Sequence, residues 1–446
     1  MWACLLAMAP RVPHRCAGRA LKLSAPLRGG VDLFLLRFGG YMKQLQARYS
    51  ALQGFNFVAT CTACAFVAIF LQFKGFDNTL IGVTTAGACV LSIFLGPVLS
   101  AALQRVEWLT IPRIFDIAFG IMCVVYAAIA YVPLPDVVIM AVYVFVYAML
   151  MSTPPLLSQI AMGYVRRGQT LNFGLARGMG SISYAITAVV VSRLVEGFSA
   201  LVLAPVFVLS SAVTLWLVHT LPGYTEDASA TSEHHEEGGR EPVGLVGFIA
   251  RYKLLMAVLA GFCLAFIANT ALATYLINIV ENLGGDTALY GIATFCMAAS
   301  ELPAMTIMPK LRHRFGAGGV FMISGASFLI RNGLICLAPN LPVLMVGLMF
   351  QGLSYGLMTS LLAYFVSEEC GPADEMLGQT YIAIMTTGIG AAAGNLLGGV
   401  LQDAFGLSAM FVFSLTATIA GSAVLVAAGM VQRRRERAKK CQAAMA

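Results

Sequence analysis

Four charged side chains stand inside long apolar stretches of the chain. They are Asp116, Arg177, Glu301 and Arg331. A charge near the middle of a bilayer costs at least about 3 kcal/mol, so such residues pair with one another or mark the path of a solute or an ion. A carboxylate that changes its pairing with an arginine can also take up and release a proton. These residues therefore predict that the protein binds a solute and moves protons. No residue is expected to be catalytic.

The surroundings of these charges favour different roles. Glu301 and Arg331 lie near the middle of their stretches, so we predict that both face one cavity and couple a proton. A purely structural buried ion pair is the alternative. Asp116 follows Arg113 by one helical turn, which favours a structural i, i+3 pair over proton coupling. Arg177 is close enough to a helix end to extend towards water.

Twelve apolar stretches must position these charges. Each is near or above the roughly 20 residues that cross about 30 Å of hydrocarbon as a helix, whereas barrel strands are about ten residues long and alternate in polarity. Hydrophobic residues make up 59% of the chain and charged residues 11%. We predict an all-α polytopic membrane protein. The predicted spans are 49–73, 78–101, 111–132, 137–164, 172–195, 200–221, 250–279, 288–311, 317–338, 341–366, 376–401 and 407–431.

Basic residues are concentrated in one set of connecting loops, and such loops face the cytoplasm. We therefore predict a multi-pass protein of the plasma membrane with both termini in the cytoplasm. The net charge of +7 does not indicate a nucleic-acid partner, and the lipid bilayer is the expected environment. The basic residues on this side are Arg105, Arg166, Arg167, Arg240, Arg251, Lys253, Lys310, Arg312, Arg314 and those between Arg433 and Lys440.

The spans divide six and six around a polar segment, and two short patterns recur in both halves. Residues 77–82 and 286–291 share the pattern Asp-x-x-Leu-x-Gly at an offset of 209 residues. Residues 194–198 and 401–405 each have an apolar residue, then an acid two positions later and a final Phe, at an offset of 207 residues. Two matches at nearly one offset predict a parallel internal repeat.

The predicted domain boundaries follow from this division. Prolines and arginines interrupt the first forty residues, so no span is expected there, and Met42 resembles a natural start. His234 to Glu237 could ligate a metal, but a solvated linker is favoured for this Ser- and Gly-rich segment. The boundaries are an N-terminal extension at 1–41, a six-helix bundle at 42–221, a cytoplasmic linker at 222–248, a second bundle at 249–431 and a basic tail at 432–446.

One local motif carries a family resemblance. Arg166-Arg167 is followed by Phe173-Gly174-Leu175-Ala176-Arg177 and then by Tyr184. With twelve spans and the repeat, this resembles the major facilitator superfamily and, within it, the lactose permease and its proton-coupled oligosaccharide and nucleoside relatives. The resemblance implies two pseudo-symmetric six-helix bundles, solute binding by Arg177 and stacking of a solute ring on Tyr184.

The chain also departs from the permease pattern. Gln351 and Ser354 stand where the permease has its His and Glu in the tenth span, and Gln159 stands where an acid partners the solute-binding Arg. The usual proton carrier is therefore missing, which leaves Glu301, with Arg331 and Asp116, as the predicted coupling residues. The residues predicted to bind the solute are Arg177, Gln159, Tyr184, Asn269, Gln351 and Tyr355. For each alone, hydrogen bonding between helices is the alternative.

The function predicted from these observations is secondary active transport by alternating access. A proton symporter for a small polar organic solute, such as a sugar or a nucleoside, is favoured, with no cofactor or metal and a monomeric state. The alternatives are a non-transporting membrane sensor, an efflux or antiport member of the same fold, and a channel. An enzyme is disfavoured because the sequence holds no phosphate-binding Gly-rich loop, His-rich metal motif or Ser-His-Asp set.

Overall fold

The computed structural model describes residues 28–221 and 245–445, apart from the single positions 107, 168, 170 and 371. Every regular element within these ranges is helical, and Leu45–Ala446 forms one compact unit. The α-helices are α1 (Arg28–Thr60), α2 (Val67–Phe73), α3 (Asn78–Arg105), α4 (Ile111–Tyr131), α5 (Asp136–Arg166), α6 (Phe173–Gly197), α7 (Leu203–Thr220), α8 (Leu245–Arg251), α9 (Lys253–Thr274), α10 (Leu276–Asn282), α11 (Thr287–Cys336), α12 (Leu341–Met349), α13 (Leu357–Glu369), α14 (Pro372–Ala383), α15 (Ala392–Phe405) and α16 (Leu407–Met445).

The described helices agree with the predicted membrane spans. Ten continuous helical stretches are long and apolar enough to cross a bilayer, two of which join α12 to α13 and α14 to α15, and α1 with α2 adds an eleventh span bent by 49°. The 50-residue α11 holds two predicted spans, separated at Gly316, where φ is 73° and the helix breaks. Only glycine adopts this left-handed conformation without a steric cost. Counting the two segments of α11 separately, the described ranges are consistent with twelve spans.

Several helix ends differ from the predicted boundaries. Helix α1 begins at Arg28, before the predicted start of the first bundle at Met42. Helix α8 begins at Leu245, inside the predicted linker, and α16 continues through the predicted tail to Met445. Arg, Lys and Ala favour helix, so the basic tail extends the last span as helix. Residues 1–27 and 222–244, including the predicted His234 site, lie outside the described residues.

Within the described part of the chain, three π-helical turns interrupt the spans, at Cys61–Ala65, Gly352–Gly356 and Ile384–Ala391. Such turns are rare in α-helices and are frequent at functional sites. The first turn accepts hydrogen bonds at its backbone carbonyls from two tyrosine hydroxyls: Tyr143 donates to Ala63 at 2.6 Å, and Tyr290 donates to Ala65. Backbone groups at membrane depth need partners inside the protein, and these tyrosines supply them.

Candidate functional site

Glu301 lies in the first segment of α11 and is half-buried, with its Cα, Cβ and Cγ atoms beside Gly356 of the π-helical turn at Gly352–Gly356. The Gln351 side chain, 5% exposed, donates a hydrogen bond from Nε2 to Glu301 Oε1 at 3.2 Å. The backbone N–H of Gly352 donates to Ser300 Oγ at 3.0 Å. A Cβ at position 352 would overlap the Ser300 carbonyl, so glycine permits the close approach that brings Gln351 to Glu301.

Arg331, in the second segment of α11, is fully buried and does not form with Glu301 the structural ion pair that was the alternative to proton coupling. Its Nη1 donates to Asn332 Oδ1 at 2.6 Å, and Asn332 Nδ2 donates to Thr418 Oγ1 on α16 at 2.7 Å. The ion pairs among the described residues do not include Glu301 with Arg331. Glu301 and Arg331 thus lie in different segments of α11, on opposite sides of the break at Gly316.

Arg177 on α6 brings a second positive charge to Glu301 from the first half of the chain. Its guanidinium lies over the Phe57 ring, 4.7 Å from the centroid, and the side chain is exposed. Arg177 interacts electrostatically with Glu301 and Tyr355 without a direct ion pair. Because no hydrogen bond of the described residues occupies its N–H groups, the five donors of the guanidinium are free for a ligand.

Aromatic rings stand on both sides of this charged group. In the first half, Phe57 packs edge-on against Tyr184, with ring centroids 6.4 Å apart. In the second half, Tyr355 stacks on Phe266 at 5.4 Å with an interplanar angle of 18°. Sequence reasoning missed Phe57 and Phe266, because a phenylalanine in an apolar span has no feature that separates a site residue from a lipid-facing one. Aromatic faces bind the flat faces of rings and the charge of cations.

Gln159 and Asn269, two further predicted solute-binding residues, differ in their exposure. Gln159 on α5 is exposed and has no hydrogen bond to another described residue. Asn269 on α9 is buried, and its Oδ1 has no partner among the described residues. A buried carbonyl oxygen without a donor costs roughly 1–3 kcal/mol, which makes Asn269 a further candidate for contact with a ligand.

Asp116 is not part of this group, and its predicted pairing with Arg113 is wrong. Asp116 Oδ1 lies 2.8 Å from His219 Nε2, at the end of α7. Arg113 instead donates to the backbone carbonyl of Trp108. Packing of α4 against α7 offers Asp116 a partner across helices, which the i, i+3 rule within one helix does not anticipate.

The resulting site consists of residues from both halves of the chain. Arg177 comes from α6, Glu301 from α11, and Gln351 and Tyr355 from the junction of α12 and α13. Free donors on Arg177, the unbonded second oxygen of Glu301 and the Tyr355 hydroxyl can bind a polar solute, and the aromatic rings can hold an apolar face of it. Apolar spans around such a polar centre define a membrane protein with a candidate internal binding site.

The class of this protein is a polytopic membrane transporter, and the comparisons identify its family. A family model described as the MFS_1 like family matches residues 47–413. The chain belongs to this family, within the major facilitator superfamily, and its family and fold are those of transporters.

Two curated relatives show how far the sequence similarity extends. The maltose permease of Geobacillus stearothermophilus is 25% identical over 288 residues, which cover 64% of this chain and 69% of the permease. The multidrug resistance protein B homolog of Mycobacterium tuberculosis is 26% identical over 211 residues, which cover 45% of this chain and 38% of that protein.

Two solved structures share the fold at low sequence identity. The nucleoside transporter NupG superimposes with a TM-score of 0.69 at 19% identity, covering 87% of this chain and 98% of that one. A bacterial homolog of the human lysosomal transporter Spinster, in an inward-facing and unoccupied conformation, gives a TM-score of 0.60 at 12% identity, covering 88% of this chain and 97% of that one. The predicted all-α fold of this superfamily is confirmed.

Proposed function

We propose that this transporter is a monomeric proton symporter of a small polar organic solute with a ring, such as a sugar or a nucleoside. The solute binds between the two halves, with Arg177 and Tyr184 on one side and Gln351, Tyr355 and Asn269 on the other. Glu301 exchanges the proton. The permease and nucleoside transporter among its relatives carry names that agree with this class of solute.

The observation that carries the proposal is the position of Glu301. Its carboxylate is held by Gln351 at 3.2 Å and influenced by Arg177 and Arg331, which come from different halves of the chain. If the halves move relative to each other, the distance between Arg177 and Glu301 changes, and the cost of keeping a charge on Glu301 changes with it. A solute that binds Arg177 also alters this balance, so solute and proton become coupled.

The experiment that tests this function is a solute screen in proteoliposomes. The purified protein is reconstituted in vesicles that contain a pH-sensitive dye, and sugars and nucleosides are added outside under no imposed gradient. We expect at least one member of these two classes to drive proton entry, and protein-free vesicles serve as the control. Solute entry with no accompanying proton movement would exclude symport with protons.

Efflux by antiport is the second candidate function, because the relatives include a protein named for multidrug resistance. The same vesicles separate the two functions by direction. A symporter moves protons into the vesicle together with external solute, whereas an antiporter moves them outwards. Exposed Arg177 with free donors favours a polar solute over an apolar drug, which is why symport of a polar solute is preferred.

The proposed location is the plasma membrane, with both termini in the cytoplasm. In a variant without native cysteines, single cysteines replace Asp77, Asp286 or Arg314, which are all exposed; Asp77 and Asp286 precede helices, and Arg314 lies two residues before the break in α11. We expect a membrane-impermeant maleimide added to intact cells to label positions 77 and 286, and to label position 314 only after the membrane is permeabilised. The reverse pattern would overturn the orientation derived from the basic loops.

A further inference from the structure

Hydrogen bonds between the two halves of the chain gather at the end of the bundle that carries Asp77 and Asp286, here called the outer end. Gln72 Nε2 donates to Asn278 Oδ1 at 2.8 Å, and Asn278 Nδ2 donates to Asn78 Oδ1 at 2.9 Å. Asn278 belongs to the second half, and the other two belong to the first. The outer end is therefore closed in this conformation.

Two carboxylates at this end each bind the first turn of a helix from the opposite half. Glu196, in the last turn of α6, accepts the backbone N–H of Ala288 on α11 at 2.8 Å. Asp403, near the end of α15, accepts the backbone N–H of Thr79 on α3 at 2.5 Å and the Asn78 side chain at 2.8 Å. Helix N-termini carry unpaired N–H groups and a partial positive charge, so each contact combines a charge-assisted hydrogen bond with attraction to the helix dipole.

The two contacts are related by the internal repeat. Glu196 and Asp403 occupy corresponding positions in segments 194–198 and 401–405, and the helix starts that they bind are the repeated segments 77–82 and 286–291. Each acid of one half therefore binds the repeated helix start of the other half. An accidental surface contact would not recur at both symmetry-related places.

The glycine that ends each repeated helix start allows these helices to approach closely. A Cβ at Gly291 would overlap the side chain of Ser192 on α6. A Cβ at Gly82 would lie 2.6 Å from the backbone carbonyl of Asn395 on α15. The same two helix pairs that carry the carboxylate contacts, α6 with α11 and α15 with α3, thus pack backbone to backbone at the outer end.

Each of the two helix starts already has a capping residue of its own. Asp77 accepts the N–H of Leu80 at 2.8 Å, and Asp286 accepts the N–H of Leu289 at 2.8 Å. Glu196 and Asp403 are therefore second carboxylates, and the helices remain capped when they withdraw. Two negative charges at one helix start also repel each other, which keeps the contact between halves reversible.

We propose that Glu196 and Asp403 are gating residues that hold the outer end of the solute pathway closed and must release α11 and α3 before it opens. The proposal rests on the alternating-access transport described above. It assigns a role to two acids outside the central site. Loss of either carboxylate shifts the protein towards the conformation that is open at the outer end.

Distance measurements between two spin labels test this gate without any solute. The eleven native cysteines are replaced, and labels are attached at positions 198 and 405, where Phe198 and Phe405 are 79% and 75% exposed on opposite halves of the outer end. Glu196→Ala and Asp403→Ala are each expected to raise the ratio of long to short distances by about tenfold, and the double variant by about a hundredfold. Each factor corresponds to the loss of one hydrogen bond to a charged group.

Asp136→Ala is the matched control. Asp136 is an exposed acid in the first turn of α5 at the same end, and it has no hydrogen bond to another described residue. This variant should keep the wild-type distances. An unchanged distance distribution in the double variant, or an equal shift in Asp136→Ala, would overturn the gate. Because no solute or pH gradient is used, failure of the proton symport proposal leaves this result unaffected.

Discussion

Glu301→Gln is expected to abolish solute-driven proton uptake and uphill accumulation of the solute while leaving solute exchange across the membrane. Glutamine has nearly the shape of a protonated glutamate and keeps one carbonyl oxygen for the hydrogen bond from Gln351. It cannot release a proton. The halves therefore still rearrange around the bound solute, but no proton moves with it.

The measurement uses the dye-filled vesicles together with radiolabelled solute. Exchange is followed with equal solute on both sides, and uphill accumulation is followed under an inward proton gradient. Glu281→Gln is the matched control. It makes the same change of glutamate to glutamine at an exposed acid on α10, in the same half of the chain. Full uphill accumulation by Glu301→Gln would exclude Glu301 as the carrier and direct attention to Asp116 or to another coupling ion.

Arg177→Lys is expected to weaken solute binding although the positive charge is retained. The guanidinium carbon of Arg177 lies 4.7 Å from the centroid of the Phe57 ring, and an ammonium group would have neither the planar face nor the paired N–H donors of the guanidinium. Loss of a charge-assisted hydrogen bond should raise the half-saturating solute concentration by about 10- to 100-fold.

Initial uptake rates over a range of solute concentrations measure this effect. Arg193→Lys serves as the control, because Arg193 lies on the same helix and is exposed at its far end. It should leave the half-saturating concentration unchanged. Wild-type uptake by Arg177→Lys at low solute concentration would show that Arg177 acts only as a charge, or does not contact the solute.

The central site was only partly predictable from sequence. Glu301, Gln351 and Tyr355 were identified because polar residues inside apolar spans are few, and the structure brings them together. The ion pair between Glu301 and Arg331, which was the alternative to proton coupling, is not formed among the described residues, and their coupling role stays a prediction. Arg331 binds Asn332 instead, and a sequence cannot show which of several polar neighbours lies within reach once helices pack.

Acidic residues outside the central site were also only partly predictable from the sequence. Asp116 pairs with His219, which is 103 residues away in sequence and could be matched to it only after α4 and α7 had packed. Glu196 and Asp403 stood out in the sequence as parts of a repeat. Their binding of Ala288 and Thr79 across the two halves became visible only in the structure.

The sequence by itself determined the membrane-spanning helices, their repeat and the presence of charges inside them. Span length is set by bilayer thickness, and a buried charge is costly wherever it lies, so both can be recognised locally. The tertiary structure alone decided the partners: Gln351 for Glu301, the Phe57 face for Arg177, and a helix start of the opposite half for each gating acid. These contacts depend on angstrom-scale distances between helices that are far apart in sequence, and hydrogen bonds and ion interactions vary steeply over such distances.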